Sequence, residues 1–295
     1  MDNIRFYIND LISLTKPPII SLLLVTAIGA IFLASKGNPP LMITIYILVG
    51  GSLGAAGASV INNIIDRNID KAMKRTKSRA VPSERVTPVV ALVYGVILHI
   101  LSFLLLYYMV NFISAFLTIF ASLFYIFIYT ILLKPRTTQN IVIGGAAGCF
   151  PPVIGWVGIT GIDGLFDVSP WFMFLIVFLW TPPHFWALGI LMKDDYKRAN
   201  IPMLPVIYGM KRVTIEIFIY SIVILFVTVI FWWFSELGYV FLILSLINNA
   251  VYSFFCYKLL IKKDRNSARN AYLYSLLHLA LVFLFIIVDT LFTLN

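Results

Sequence analysis

The sequence predicts an all-α polytopic membrane bundle of about nine transmembrane helices, and three observations carry that prediction. Apolar residues fill 61% of the 295 positions and charged residues only 12%, against roughly 45–50% and 25% in a soluble domain. The apolar residues are gathered into long runs, each able to cross a hydrocarbon core that needs about 20 helical residues. No run alternates at period two over ten residues, which counts against a β-barrel and leaves helices as the way to satisfy a backbone in lipid.

Spans are expected at 17–35, 40–63, 88–110, 112–133, 141–160, 170–192, 213–235, 238–260 and 271–292. Arg5 and Lys16 precede the first. The second runs into the cations Arg67, Lys71, Lys74, Arg75, Lys77, Arg79 and Arg85. Lys134 and Arg136 follow the fourth. The fifth holds Gly144-Gly145-Ala146-Ala147-Gly148 and then Pro151-Pro152, small residues that let helices approach closely and a proline pair expected to kink or unwind the segment. The sixth shows a similar expected break at Thr181-Pro182-Pro183-His184, ahead of Lys193, Lys197, Arg198, Lys211 and Arg212. The eighth is followed by Lys258, Lys262, Lys263, Arg265 and Arg269.

In this span order every lysine and arginine except Lys36 falls on one side of the membrane. The positive-inside rule then makes the N-terminus cytoplasmic and the C-terminus external. The net charge of +9 is therefore first a topology signal, with the cations also meeting anionic membrane lipids. Their division among loops gives no support to a nucleic-acid role. The chain reads as one transmembrane domain, 1–295, whose most polar parts are two cytoplasmic loops at about 66–87 and 193–212. Cys149 and Cys256 lie in spans and make no disulfide framework. The length of span one and the eight spans after it argue against a signal peptide, and no Arg- and Ser-rich transit segment precedes it, so a prokaryotic plasma membrane is expected.

The chemistry concentrates in two acidic clusters. Asn62, Asp66 and Asp70 stand at i, i+4 and i+8, within roughly an 80° arc of one helix face. Two carboxylates and an amide at the end of a membrane helix are hard oxygen donors suited to Mg²⁺, which is commonly shared between one or two carboxylates and substrate phosphates. Asp194 and Asp195 close span six. Four spans separate the clusters, so both return to the same surface and can face each other. Arg75, Lys77 and Arg79 follow the first, Lys197 and Arg198 the second, and Lys134 ends span four on that side. Such a set can hold a diphosphate and make it a better leaving group by neutralising charge on its oxygens. Of the histidines, His99 and His278 read as interhelical hydrogen-bonding residues. His184 lies about two turns into the bilayer from Asp194 and is a candidate cavity residue.

At these residues the chain resembles the UbiA superfamily of intramembrane prenyltransferases. The run Asn62-Asn63-Ile64-Ile65-Asp66-Arg67-Asn68-Ile69-Asp70, continuing to Arg79, is similar to its first aspartate-rich motif. Tyr129 to Lys134 with Thr138 to Gly145, Pro151 to Trp156, Trp180 to Leu188 and Asp194 to Pro205 resemble the protohaem IX farnesyltransferase (haem O synthase) branch, and the resemblance covers roughly residues 12–212. Ala199 stands where many superfamily members carry a further aspartate, which leaves the number of metal ions open. The resemblance implies a nine-helix bundle in which Asn62, Asp66, Asp70, Asp194 and Asp195 hold farnesyl diphosphate through Mg²⁺. Asn63, Arg67, Arg75, Lys77, Arg79, Tyr129, His184, Tyr196, Lys197 and Arg198 are implied as substrate-binding residues, with Lys134 beside the catalytic aspartates. Haem B is the implied acceptor and haem O the product, and the branch brings association with haem A synthase or terminal oxidase assembly into view. Tyr125, Tyr129, Trp156 and Phe185 are candidates to face an allylic cation. Three alternatives stand beside this reading. One is a related transferase acting on a quinone precursor, chlorophyllide or glycerol lipid. Another is a CDP-alcohol phosphotransferase, whose Asp-Gly-x2-Ala-Arg approach is missing here. The third is a secondary transporter, whose site would be expected nearer the midplane.

Overall fold

The computed structural model describes residues 2–293, with side chains described for 7–292; Arg5, used in the charge census, lies outside the described side chains. Nine helices among the described residues are long and apolar enough to cross a membrane. After the short α1 (Asp2–Leu14), they are α2 (Pro17–Ala34) and α3 (Leu41–Ile65), and, past the short α4 (Arg67–Ala72), α5 (Pro88–Met109) and α6 (Phe112–Leu123) with its π-helical continuation Phe124–Leu133. The fifth span is composite, formed by α7 (Asn140–Gly144), a 3₁₀ turn (Gly145–Cys149) and α8 (Phe150–Thr160). Then come α9 (Ser169–Leu191), the short α10 (Lys193–Arg198) and α11 (Leu204–Ile207), and the long α12 (Gly209–Phe234), α13 (Tyr239–Lys262) and α14 (Arg265–Thr293). Neighbours in sequence pack side by side, and α14 returns against both α2 and α9 to close the bundle.

The physical reasons for the boundaries are local. Thr87 accepts the Val90 N–H at 3.3 Å and Pro88 opens α5, a cap and a residue whose missing N–H costs nothing there. Asn111 caps α6 through the Ser114 N–H at 2.8 Å while its amide donates to the Val157 carbonyl, also at 2.8 Å. Helices α3 and α5 meet closely because a Cβ on Gly50 would fall 2.5 Å from the Leu106 side chain. Ser102 Oγ uses that approach to donate to the Gly50 carbonyl at 2.6 Å.

Two sequence expectations change. The fifth span is unwound as expected, but by the 3₁₀ turn ahead of Pro151 and Pro152, which sit in the first turn of α8 where prolines are tolerated. The expected break at Pro182-Pro183 is absent, and α9 runs through both prolines. Thr181 Oγ1 donates to the Val177 carbonyl at 2.8 Å, and Trp180 Nε1 and His184 Nδ1 both bind Ser275 of α14, so neighbouring polar groups hold the turn.

The two ends of the bundle differ. At one end the α2–α3 and α12–α13 turns meet in the exposed Lys36–Glu236 pair at 3.0 Å, worth at most about 1 kcal/mol. Asp289 is buried at that end, where it accepts the Gly238 and Phe241 N–H groups at 2.6 and 2.9 Å and so caps α13. The opposite end carries the two polar loops and the site.

Candidate functional site

The site forms where α3 ends. Asp66 is the one residue between α3 and α4, closing the first and opening the second, so the helix bends there instead of running straight on to Asp70 as the spacing suggested. Both carboxylates stay buried, each 2% exposed. Asn62 Nδ2 donates to Asp66 Oδ2 at 2.8 Å and to Thr130 Oγ1 at 3.1 Å. Lys134 Nζ reaches the same Asp66 oxygen at 2.5 Å, and Arg79 binds Asp70 Oδ2 at 2.8 Å. Asp66 Oδ1 is buried without a hydrogen-bond partner among the described residues. A buried acceptor left bare costs about 1–3 kcal/mol, more when charged, so this oxygen is poised to accept a cation or a donor.

The π-helical stretch aims the fourth span at this cluster. Widening the turn re-registers Thr130, whose Oγ1 bonds back to the Tyr125 carbonyl at 2.9 Å, and brings Lys134 N–H to the Tyr129 carbonyl at 2.9 Å. Tyr125 and Tyr129 stack at 5.4 Å beside Thr130. Tyr129 fits because residue 144 is glycine, where a Cβ would stand 2.3 Å from the ring.

Sequence parity predicted that the two acidic loops face each other, and they touch. The Lys74 N–H donates to Asp195 Oδ1 at 3.1 Å, and Arg198 pairs with the same oxygen. Burial alone would raise the Asp195 pKa, but the hydrogen bonds from the Lys74 N–H, Arg198 and the Arg75 N–H hold it below the usual aspartate value. Beneath this contact Met73, Ile141, Ile201 and Met203 form a small apolar cluster against which Ile69, Tyr129, Phe185 and Tyr196 pack. That cluster docks both loops on the same floor.

Other candidates are placed elsewhere. Asn63 turns away from its neighbour, donating to the carbonyls of Leu14 at 3.2 Å and Ser59 at 2.8 Å, so it anchors the end of α1. Arg67 pairs with Glu84 at 2.8 Å. Asp194, Lys77 and Lys197 are exposed, and Arg75 lines a separate cleft between α9 and α14. Trp156 lies toward the other end of its span, its indole N–H on Asp167 at 2.8 Å, and cannot face a cation held by Asp66. His184 is buried, stacked on Trp180 at 4.3 Å and packed at a tilt against Tyr272 at 5.0 Å, with Nδ1 2.6 Å from Ser275 Oγ.

One residue read only as a topology charge belongs to the site. Lys16 Nζ donates to Asn62 Oδ1 at 2.8 Å. Burial, then the Arg79 and Lys134 cations, outweigh Asp66 and Asp70 and bring its pKa down to about 7. Its backbone is left-handed, φ 55°, a conformation that costs a lysine energy and persists where the surroundings hold it. A lysine followed by two prolines was the available signal.

The donors fit Mg²⁺ shared with a phosphate better than a metal caged by protein alone. Among the described residues no three His, Cys, Asp or Glu side chains gather closely enough to hold a metal by themselves. The bare Asp66 Oδ1, Asp70 and the Asn62 amide oxygen are a partial oxygen set of the kind Mg²⁺ completes with water and substrate.

Comparison with known proteins bears on the family and the fold. The sequence profile of the UbiA prenyltransferase family matches residues 22–286. The protoheme IX farnesyltransferase of Gloeobacter violaceus is 40% identical over 292 residues, covering 97% of this chain and 93% of that protein. That of Cutibacterium acnes is 41% identical over 294 residues, covering 97% and 86%. The Thermus thermophilus protein of the same name is 40% identical over 95% of this chain, but the match spans 46% of that longer protein. In fold, the chain superposes on a digeranylgeranylglyceryl phosphate synthase with a TM-score of 0.77, 19% identity and 99% of both chains covered. It also superposes on a UbiA homologue from Archaeoglobus fulgidus bound to GPP and Mg²⁺, with a TM-score of 0.68, 17% identity and 94% and 99% covered.

Proposed function

From the premise that the chain belongs to the UbiA prenyltransferase family, we propose that it transfers a farnesyl group from farnesyl diphosphate to a vinyl group of haem B, giving haem O. Relatives that bear the protoheme IX farnesyltransferase name across nearly the whole chain support the donor and the acceptor. Family membership sets aside the phosphotransferase and transporter readings, and those names do not favour a quinone precursor, chlorophyllide or glycerol lipid as acceptor. The observation that carries the site is the buried Asp66 carboxylate, with one oxygen bare and the other held by Asn62 and Lys134.

In this reading the diphosphate lies over Asp66 and Asp70, within reach of Lys16, Arg79 and Lys134. Bound Mg²⁺, held by Asp66, Asp70 and Asn62, would neutralise charge on the diphosphate oxygens. Lys134 and Arg79 supply fixed positive charge where the leaving group gathers negative charge, which stabilises the transition state without reorganising water. The bond from the allylic carbon to oxygen breaks, and the electron pair leaves with the diphosphate. The vinyl group then attacks the allylic carbon, and water captures the resulting cation with loss of a proton. The stacked Tyr125 and Tyr129 present aromatic faces beside the polar cluster, suited to an allylic cation. The apolar floor beneath the loops keeps bulk water away until the vinyl carbon has reacted.

Asp195 acts in this account as the clasp between the loops, with Asp194 outside the site. The loop end faces the cytoplasm of a prokaryotic cell, with the C-terminus external, as the distribution of lysine and arginine supports. Incubating the purified protein in liposomes with haem B, Mg²⁺ and labelled farnesyl diphosphate tests the function. Haem O identified by mass is the expected product, and turnover confined to another aromatic acceptor would replace haem.

A further inference from the structure

The diphosphate site leaves unused a cleft of about 510 Å³ between the end of α9 and the first turns of α14, a size typical of small-molecule pockets. Leu188 and Leu191 of α9 and Leu273 of α14 give it apolar lining, and Arg75, Arg265 and Arg269 bring three guanidinium groups to it. None of these three side chains has an ion pair among the described residues. The neighbouring carboxylate, Asp264, is already used on the Ser267 N–H at 2.6 Å. Arg265 and Arg269 stand at i and i+4 in the opening turns of α14, where the helix dipole disfavours cations. Three unpaired guanidiniums in such a field are relieved by an anion.

The cleft also joins the buried parts of the protein. His184 shares a stripe of α9 with Leu188 and Leu191, at i, i+4 and i+7. Tyr272 lines the cleft and packs on His184 at 5.0 Å. On the other side, the Arg75 backbone N–H binds Asp195, the clasp between the two acidic loops.

We propose that this cleft is the acceptor subsite, in which Arg265 and Arg269, with Arg75, bind the carboxylates of a flat amphipathic acceptor whose ring lies along the leucine lining toward His184. On the function proposed above, on which this assignment rests for the identity of the acceptor, those carboxylates are the two propionates of haem B. Arginine is suited to the task because its planar fork meets a carboxylate with two parallel hydrogen bonds.

The test compares haem B with its dimethyl ester, which has the same ring and no free carboxylate. Both are titrated into the full-length protein and into the Arg265→Ala/Arg269→Ala variant in nanodiscs, following the haem absorption band. Both are then offered as acceptors with labelled farnesyl diphosphate. The variant is expected to bind haem B at least about tenfold more weakly and to bind the ester as the parent protein does. Retained farnesyl diphosphate binding marks the variant as folded, and Arg269→Gln gives the same comparison if the double variant is not recovered. Equal weakening for both acceptors would assign the arginines to lipid phosphates and overturn the proposal, as would unchanged haem B affinity. The two readings fail separately. Arginine-dependent haem binding without transfer would remove the proposed function and keep the cleft, whereas transfer to haem B with arginine-independent binding would keep the function and remove the cleft.

Discussion

Lys134 Nζ lies 2.5 Å from Asp66 Oδ2, joining the ends of the second and fourth spans across 68 residues of sequence. The pair is mostly withdrawn from solvent, with 13% and 3% of the two side chains exposed. Breaking a buried pair costs more than making it gains, because the charge left behind is uncompensated. This contact therefore serves the structure and the chemistry together.

Lys134→Ala should lower kcat by about 10²–10³-fold, the range expected for removing one fixed donor from a developing anion. Lys134→Arg should recover part of that loss. Steady-state turnover measures it, and a change confined to the KM for haem B would contradict the assignment.

Metal removal should abolish transfer. Treatment with EDTA followed by Mg²⁺ should restore it, because Asp66 Oδ1, Asp70 and Asn62 offer too few donors to retain the ion through chelation. Turnover indifferent to EDTA would count against a diphosphate held through metal.

Lys16 makes a pH-dependent prediction. Its free-state pKa is about 7, held down by burial and by the Arg79 and Lys134 cations. A bound diphosphate adds negative charge beside it and raises that value. Between the free and bound values the complex carries a proton that the free protein lacks, so binding takes up protons just above pH 7. Calorimetry at pH 8 in buffers of different ionisation enthalpy should show this uptake, and Lys16→Met should lack it. Equal uptake in both proteins would assign the proton elsewhere.

Adjacent asparagines should separate stability from activity. Asn63→Ala removes two donors to backbone carbonyls and should cost about 1–3 kcal/mol of stability with little change in either KM. Asn62→Ala should impair turnover instead. Thermal unfolding and kinetics of both variants make the comparison, and the reverse pattern would refute it.

His184→Ala should raise the KM for haem B more than the KM for farnesyl diphosphate, since His184 packs on Trp180 and Tyr272 away from the aspartates. Equal effects on both substrates would make it a packing residue alone.

The spans were legible because lipid imposes a length and a composition, and most observed ends fall within a few residues of the expected ones; α14 is the exception, starting at Arg265 rather than at 271, so that Arg265 and Arg269 lie in the helix and not in the loop before it. Parity alone brought the two acidic loops to one end, where the Lys74–Asp195 contact now joins them. Directions of individual side chains were not legible. Asn62 and Asn63 are neighbours in sequence yet point about 100° apart on a helix, and Asp194 and Asp195 divide the same way between solvent and the interior. The distance of Trp156 from the site follows from the rise of its span, about 20 Å along the helix from its start at the loop end. The π-helical turn leaves no compositional mark, so the aim of Thr130 and Lys134 had to be seen. Lys16 was hidden because a cation before a span already has a sufficient explanation in topology.

The most direct measurement is a single-turnover assay in liposomes with haem B, Mg²⁺ and labelled farnesyl diphosphate, comparing the parent protein with Asp66→Ala and reading haem O by mass. The account predicts haem O from the parent and a loss of at least about 10³-fold in an inserted, folded Asp66→Ala protein. Haem O formed by the variant at the parent's rate would contradict it.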